Sequence, residues 1–201
     1  MRSFPVAVLG VVLAVTACSK NPVSPGVTSP ENQNTNAALD TVRSLSNGYH
    51  SVAAAIAAGY ADPANAPCYE APIGAMGIHS LHPGYFAEPG VDASKPEIML
   101  YFPQRTGGYV LAGVEYSTEV LLKDPTTGKI APWYDLTPWP ADYQVMNDPP
   151  VLFGQRFNGP MAGHENGKAW HYDLHVWAWE KNPSGDFAQF NPRFTCAGPK
   201  S

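Results

Sequence analysis

The ten residues 170–179, WHYDLHVWAW, constrain this chain more than any other stretch. Read as a β-strand, the even positions Trp170, Tyr172, Leu174, Val176 and Ala178 form an apolar face. The odd positions His171, Asp173, His175, Trp177 and Trp179 form a polar-aromatic one. Abundant Trp, Tyr and Val, with no helix-capping residue, favour the strand over a helix. Residues 163–179 together hold three of the six histidines and three of the five tryptophans, so chemistry is expected here. Residues 76–82, MGIHSLH, are expected to contribute from elsewhere in the fold.

Spacing decides which of these side chains can act together. On a strand, positions i and i+4 lie about 13 Å apart, too far for His171 and His175 to ligate one ion, whereas Asp173 can join either. On a helix the two histidines would share a face and chelate as a pair. Zinc, copper and iron sites usually take three or four protein ligands, so a distant residue must complete the shell. The candidate metal ligands are His79, His164, His171, Asp173 and His175, not all of them direct. Met76 and Met161 each stand three residues before a histidine, His79 and His164, and a thioether with imidazole would suit copper; zinc is the other candidate.

Two other readings stand beside a metal. Trp133, Trp139, Trp177 and Trp179 could form an aromatic platform for a sugar or a flat small molecule. Alternatively the histidines are hydrogen-bonding members of a polar core edge, with Asp173 orienting one of them. No G-x-S-x-G elbow, HExxH, P-loop or dinucleotide glycine motif occurs, so no reaction follows.

Arg2, the apolar residues 6–15 and then Val15-Thr16-Ala17-Cys18 have the order of a secretory signal, too short to span a bilayer. The ending resembles the lipobox of bacterial lipoproteins. That resemblance implies cleavage after residue 17, acylation of Cys18 and an extracytoplasmic protein tethered to a membrane; the alternative is an ordinary signal peptide. Residues 18–36, rich in Pro, Ser, Asn and Thr, read as a flexible tether, leaving residues 37–201 as one domain. Losing Arg2 takes the formal charge from −5 to −6, and with no basic run there is no electrostatic footprint for nucleic acid. Cys68 and Cys196 would remain, 128 residues apart. In an oxidising compartment they form a disulfide pinning the C-terminal tail beside the first histidine cluster; otherwise they are free thiols or metal ligands.

Charged residues make up only 14%, with 21 Pro and 18 Gly, which points to many turns and long ordered loops. One amphipathic helix is expected from Asn36, its N-cap, to Tyr60, with Leu39, Val42, Leu45, Tyr49, Val52, Ala53, Ile56 and Tyr60 on its stripe. Residues 64–95 read as irregular. Residues 96–102 and 108–116 form a β-hairpin across a turn at 104–107, with Glu97 and Glu115 as rim or core-edge partners. Residues 121–150 read as a surface excursion, 151–157 as a strand, 158–160 as a turn and 180–196 as loop.

AAAIAAGY, GAMGIH, EIMLYFP with GVEY, GPMAGH, HYDLHVWAW and NPSGDFAQFNPRFTC together resemble a family of uncharacterised secreted bacterial proteins, over nearly the whole folded region. In that family the first cluster reads Met-Gly-x-His-Tyr-x-Asn-Pro. Ser80 and His82 stand here where Tyr and Asn would, so the resemblance favours His79 over His82 as a ligand. It implies no reaction. The expected fold is α+β, one N-terminal helix packed on a mainly antiparallel β-sheet with long ordered loops.

Overall fold

The computed structural model describes residues 30–134, 141–163 and 169–200. The leader, Cys18 and most of the expected tether lie outside the described residues. Helix α1 spans Pro30–Ser46, starting inside the stretch read as tether, with proline at the first helical position that suits it. The expected single helix is broken. A 3-10 turn takes Asn47–His50 and a second helix, α2, spans Val52–Ala57. The break falls at Ser51, whose extended backbone (φ −83°, ψ 107°) lets its side chain accept from the Ala54 N–H and cap α2. Leu39 and Val42 are buried, whereas Leu45 at the end of α1 and Ile56 beyond the interruption are exposed.

Six strands form the main sheet: β1 (Cys68–Ala71), β2 (Gly74–Leu81), β3 (Ile98–Pro103), β4 (Tyr109–Glu119), β10 (Asn158–Met161) and β11 (His171–Val176). Their order is β1-β2-β3-β4-β11-β10, and every neighbouring pair is antiparallel. The β3–β4 hairpin is as expected, closed by Gln104 N–H donating to Gly108 O at 3.0 Å. Residues 64–95 are not irregular throughout, since MGIHSL lies in β2 and His82 caps a short helix, α3 (Pro83–Phe86). Strand β2 is buried on both faces, so the alternation that would reveal it is missing.

Smaller elements carry the rest. Strands β5 (Leu121–Lys123), β6 (Ile130–Pro132) and β7 (Gln144–Val145) give the surface excursion a three-stranded sheet. Residues 151–157 are not one strand but a tight hairpin of β8 (Val151–Leu152) and β9 (Gln155–Arg156), turning at Phe153 and Gly154 with φ of 54° and 74°. Residues 158–161 are edge strand rather than turn, a place where Pro160 need not supply an N–H.

The C-terminal stretch is loop except for β12 (Phe194–Thr195) and β13 (Gly198–Pro199). It is held to β1 by the Cys68–Cys196 disulfide and to β2 by two backbone hydrogen bonds between Asn191 and Ala75. Closing a loop of 128 residues stabilises the fold by about 4 to 5 kcal/mol in the chain-entropy picture.

One sheet face carries the main core. Tyr101, Val114, Tyr116, Tyr172, Leu174 and Val176 share a buried cluster with Leu39 and Val42 of α1 and Ala55 of α2. The opposite face carries a second, smaller cluster of Ala75, Phe102, Ala112, Trp177 and Phe194. His79, His171 and His175 lie on this second face.

Candidate metal centre

Register builds the site. In β11, His171 pairs with Glu119, Asp173 with Ser117 and His175 with Glu115. Glu115 pairs in turn with Ile98, and Ile98 with Leu81. Side chains two residues apart share a face, so His79, Glu115, His171, Asp173 and His175 project to one side. That face was expected to be a polar-aromatic surface, yet all six residues of β11 are buried. Strand β10 and the 186–191 loop approach it: Asn158 Nδ2 donates to Asp173 Oδ1 at 3.1 Å and Gln189 Nε2 to Asp173 Oδ2 at 3.0 Å.

Two imidazoles converge on one carboxylate oxygen. His79 Nε2 lies 2.9 Å and His175 Nε2 3.4 Å from Glu115 Oε2. Two donors each about 2.0–2.1 Å from a tetrahedral ion stand roughly 3.3 Å apart, close to both spacings. His79, Glu115 and His175 form one group able to hold a cation, and Glu115, His171 and Asp173 form another. No group contains both His171 and His175, as their strand spacing required.

Hydrogen bonding supports the same reading. Both ring nitrogens of His175 are buried without a hydrogen-bond partner among the described residues, while Glu115 Oε2 faces the His79 ring at 2.9 Å. Leaving one such group unsatisfied costs about 1 to 3 kcal/mol. The rings of His79 and His171 are fixed differently. His79 Nδ1 lies 2.9 Å from Gly77 O and His171 Nδ1 3.1 Å from Ala169 O. A carbonyl only accepts, so Nδ1 must donate, and in the neutral ring Nε2 carries the lone pair. Backbone carbonyls commonly orient metal-bound imidazoles in this way. Gly77 has a φ of 104°, a conformation open to glycine, and it sets this carbonyl beside His79.

The charges are coupled. Burial opposes a charge on His79, but the neighbouring Glu115 carboxylate outweighs it and raises the imidazole above its ordinary value. Burial also opposes ionisation of Glu115, and the surrounding imidazoles outweigh it and hold the carboxyl below the ordinary range. At His175 burial wins and lowers the value, keeping that ring neutral. Without an ion, the Glu115 carboxylate and the His79 imidazole each favour the other's charged form.

A cavity of about 80 Å³ opens over the group. Its polar floor includes His79, Glu115, Ser117 and His171, and its walls include Tyr69, Leu81, Phe86 and Ile98. That volume admits two or three waters or a molecule of a few heavy atoms, at about 30 Å³ per liquid water.

Of the expected ligands, His79, His171, Asp173 and His175 come together, while His164 lies outside the described residues. Glu115 is the candidate ligand that sequence reasoning missed, since it stands at the centre of the group rather than at a rim. Its signal was a carboxylate inside the apolar run GYVLAGVEY. His82 stays out of the group: it accepts from Tyr85 N–H at Nδ1, lies 3.0 Å from Ala58 O at Nε2 and stacks on Tyr85. Met76 stands at the register irregularity where β1 pairing passes from Gly77 to Ala75. Met161 Sδ accepts from Gln189 Nε2.

The described tryptophans do not form the expected platform. Trp177 is 2% exposed in the second core cluster, its Nε1 donating to Ala188 O. Trp179 donates to Ser46 Oγ and packs on His50, and Trp133 packs on Tyr143. Trp139 lies outside the described residues. Compared with protein-family models, curated proteins and solved structures, the chain finds no match.

Proposed function

We propose that this protein is an extracytoplasmic metalloprotein holding a divalent transition-metal ion on His79, Glu115 and His175. The observation that carries the reading is the convergence of two imidazole Nε2 atoms on the buried oxygen Glu115 Oε2, with both His175 nitrogens lacking hydrogen bonds among the described residues. Two imidazoles and a carboxylate are a nitrogen-oxygen set that suits zinc or copper. Three protein ligands with a cavity beside them leave a coordination position for water or substrate. A bound ion there supplies Lewis acidity and an activated water, which makes hydrolytic chemistry the first class to assay.

The location follows from two features. A disulfide belongs to an oxidising compartment, and the lipobox-like ending places acyl chains on Cys18. Two or three chains, each gaining about 0.8 kcal/mol per buried methylene, anchor a protein firmly. Among the described residues no helix is long and apolar enough to cross a membrane. The proposal includes membership of the secreted bacterial family that the sequence resembles, in which His79 rather than His82 holds the matching position.

A second reading rests on the cavity. Without a metal, the His79–Glu115 ion pair lies beneath apolar and aromatic walls, an arrangement for a small organic ligand.

To separate the two, the full chain is expressed with its own leader, purified from membranes in mild detergent, loaded with zinc and dialysed before mass-spectrometric metal analysis. At least about one equivalent is expected in the wild type, and about one equivalent fewer in His175→Ala than in the wild type. Less than about a tenth in the wild type, after both zinc and copper loading, overturns the metal reading and leaves the metal-free pocket.

A further inference from the structure

We propose that the centre holds two divalent ions bridged by Glu115, the first on His79 and His175 and the second on His171 and Asp173. This rests on the metal reading above for the first ion and adds the second.

Glu115 belongs to both groups, and in each group the donor atoms lie within 4.8 Å of one another. The carboxylates of Glu115 and Asp173 therefore face each other at close range, with Glu115 2% and Asp173 0% exposed. Two like charges so near, away from water, repel strongly. The amide donors from Asn158 and Gln189 orient Asp173 without neutralising it. A cation seated between the carboxylates removes the repulsion, and His171 stands in the same group to complete its ligands.

Asp173 has no better use at the first ion. Its Oδ2 is 3.8 Å from His175 Nδ1, beyond hydrogen-bond reach, so it does not orient that ring. His171 and His175 occur together in neither group, so His171 does not join the first ion. Yet His171 is built like a ligand, with its Nδ1 turned to the carbonyl two residues back, as in His79. The same device on both sides of one carboxylate is what a bridged pair of ions requires, at the separation of about 3.5 to 4 Å typical of two-metal sites. Two ions against two carboxylates leave a net charge of +2, so the exogenous ligand that this centre takes is a hydroxide or another small anion.

The test uses the full chain in detergent, loaded with excess zinc for stoichiometry and with copper(II) for electron paramagnetic resonance. Two equivalents are expected in the wild type, falling to one in His171→Ala and in the near-isosteric Asp173→Asn. The copper-loaded wild type should show spin coupling, replaced in both variants by the signal of isolated copper(II). One equivalent in the wild type with no coupling overturns the bridged pair while leaving the first site standing. Two equivalents that persist in both variants place the second ion elsewhere and also overturn it. Retention of no metal removes both proposals.

Discussion

The two faces of the six-stranded sheet handle buried polar groups in opposite ways. On the face toward the helices, Tyr60, Tyr101, Tyr116 and Tyr172 each donate a hydroxyl to a backbone carbonyl, of Pro96, Tyr49, Ala93 and Asn147. On the other face, both His175 nitrogens have no hydrogen bond among the described residues. The same strands supply both faces, so the fold can satisfy buried groups and does so where only packing is at stake. Buried nitrogens without hydrogen bonds on one face are what the proposed metal centre would account for. His82 sharpens the contrast, since three residues beyond His79 it has both ring nitrogens turned to backbone groups.

The largest expected effect lies on the site face. Ligand bound only to the folded state at a thousand times its dissociation constant adds about 4 kcal/mol. Chelating the zinc should lower the unfolding free energy by about that amount in the wild type and by nothing measurable in Glu115→Gln. Denaturant unfolding with and without chelator measures it, and equal chelator sensitivity in the two proteins would break the comparison.

Next is a truncation on the helix-facing side. Leu174 is 2% exposed in the main cluster, and Leu174→Ala should cost about 3 kcal/mol through lost burial and the cavity left behind. Metal content should not change. Loss of metal together with stability would mean that the two faces are not independent.

How far the sequence revealed this division depends on the strand. The alternation in residues 170–179 placed Leu174 and Val176 apart from His171, Asp173 and His175, and both sets share faces as expected. What it did not reveal is cover. Polar residues on alternate positions imply water on that side, and here β10 and the loop carrying Gln189 close over it, a long-range contact with no local trace. In β2 the alternation itself is absent, because both faces are buried, so His79 read as a loop residue. Glu115 was visible only as a single carboxylate in an apolar strand, and its role needed the register with His175. The cysteine pair, by contrast, needed only its count and compartment, and Cys68 and Cys196 are joined. The helix failed locally: Ser51 competes for backbone hydrogen bonds as a cap, which a period of apolar residues does not register.

A third experiment concerns the ionisable exception on the helix-facing side. Burial raises the Glu97 carboxyl to about 8, against the backbone N–H of Ser117 that favours its ionised form. Its value in the folded state lies above that in the unfolded chain, so the unfolded chain releases the proton first as pH rises. Stability is then fully present below about pH 4.5 and declines until about pH 8. The decline should be on the order of 2 kcal/mol, less than the full 1.36 kcal/mol per unit, because water entering around an ionised Glu97 relieves part of the penalty. Glu97→Gln should flatten the dependence over that window in the metal-stripped protein, measured by denaturant unfolding at several pH values. An unchanged slope would assign it to other groups.

The smallest expected effect isolates one satisfied hydrogen bond. Tyr116→Phe removes the hydroxyl that donates to Ala93 O at 2.9 Å while keeping the ring that fills the core. The loss should be about 1 kcal/mol, the net worth of an ordinary buried hydrogen bond. On the other face the corresponding deletion is His175→Leu, which removes two buried nitrogens that lack hydrogen bonds among the described residues and replaces them with apolar volume. In metal-free protein that variant should be no less stable than the wild type, because the loss of an unsatisfied polar group offsets the imperfect fit. If His175→Leu instead costs more than Tyr116→Phe in the stripped protein, the imidazole is a structural member of the core, and the two faces do not differ in kind.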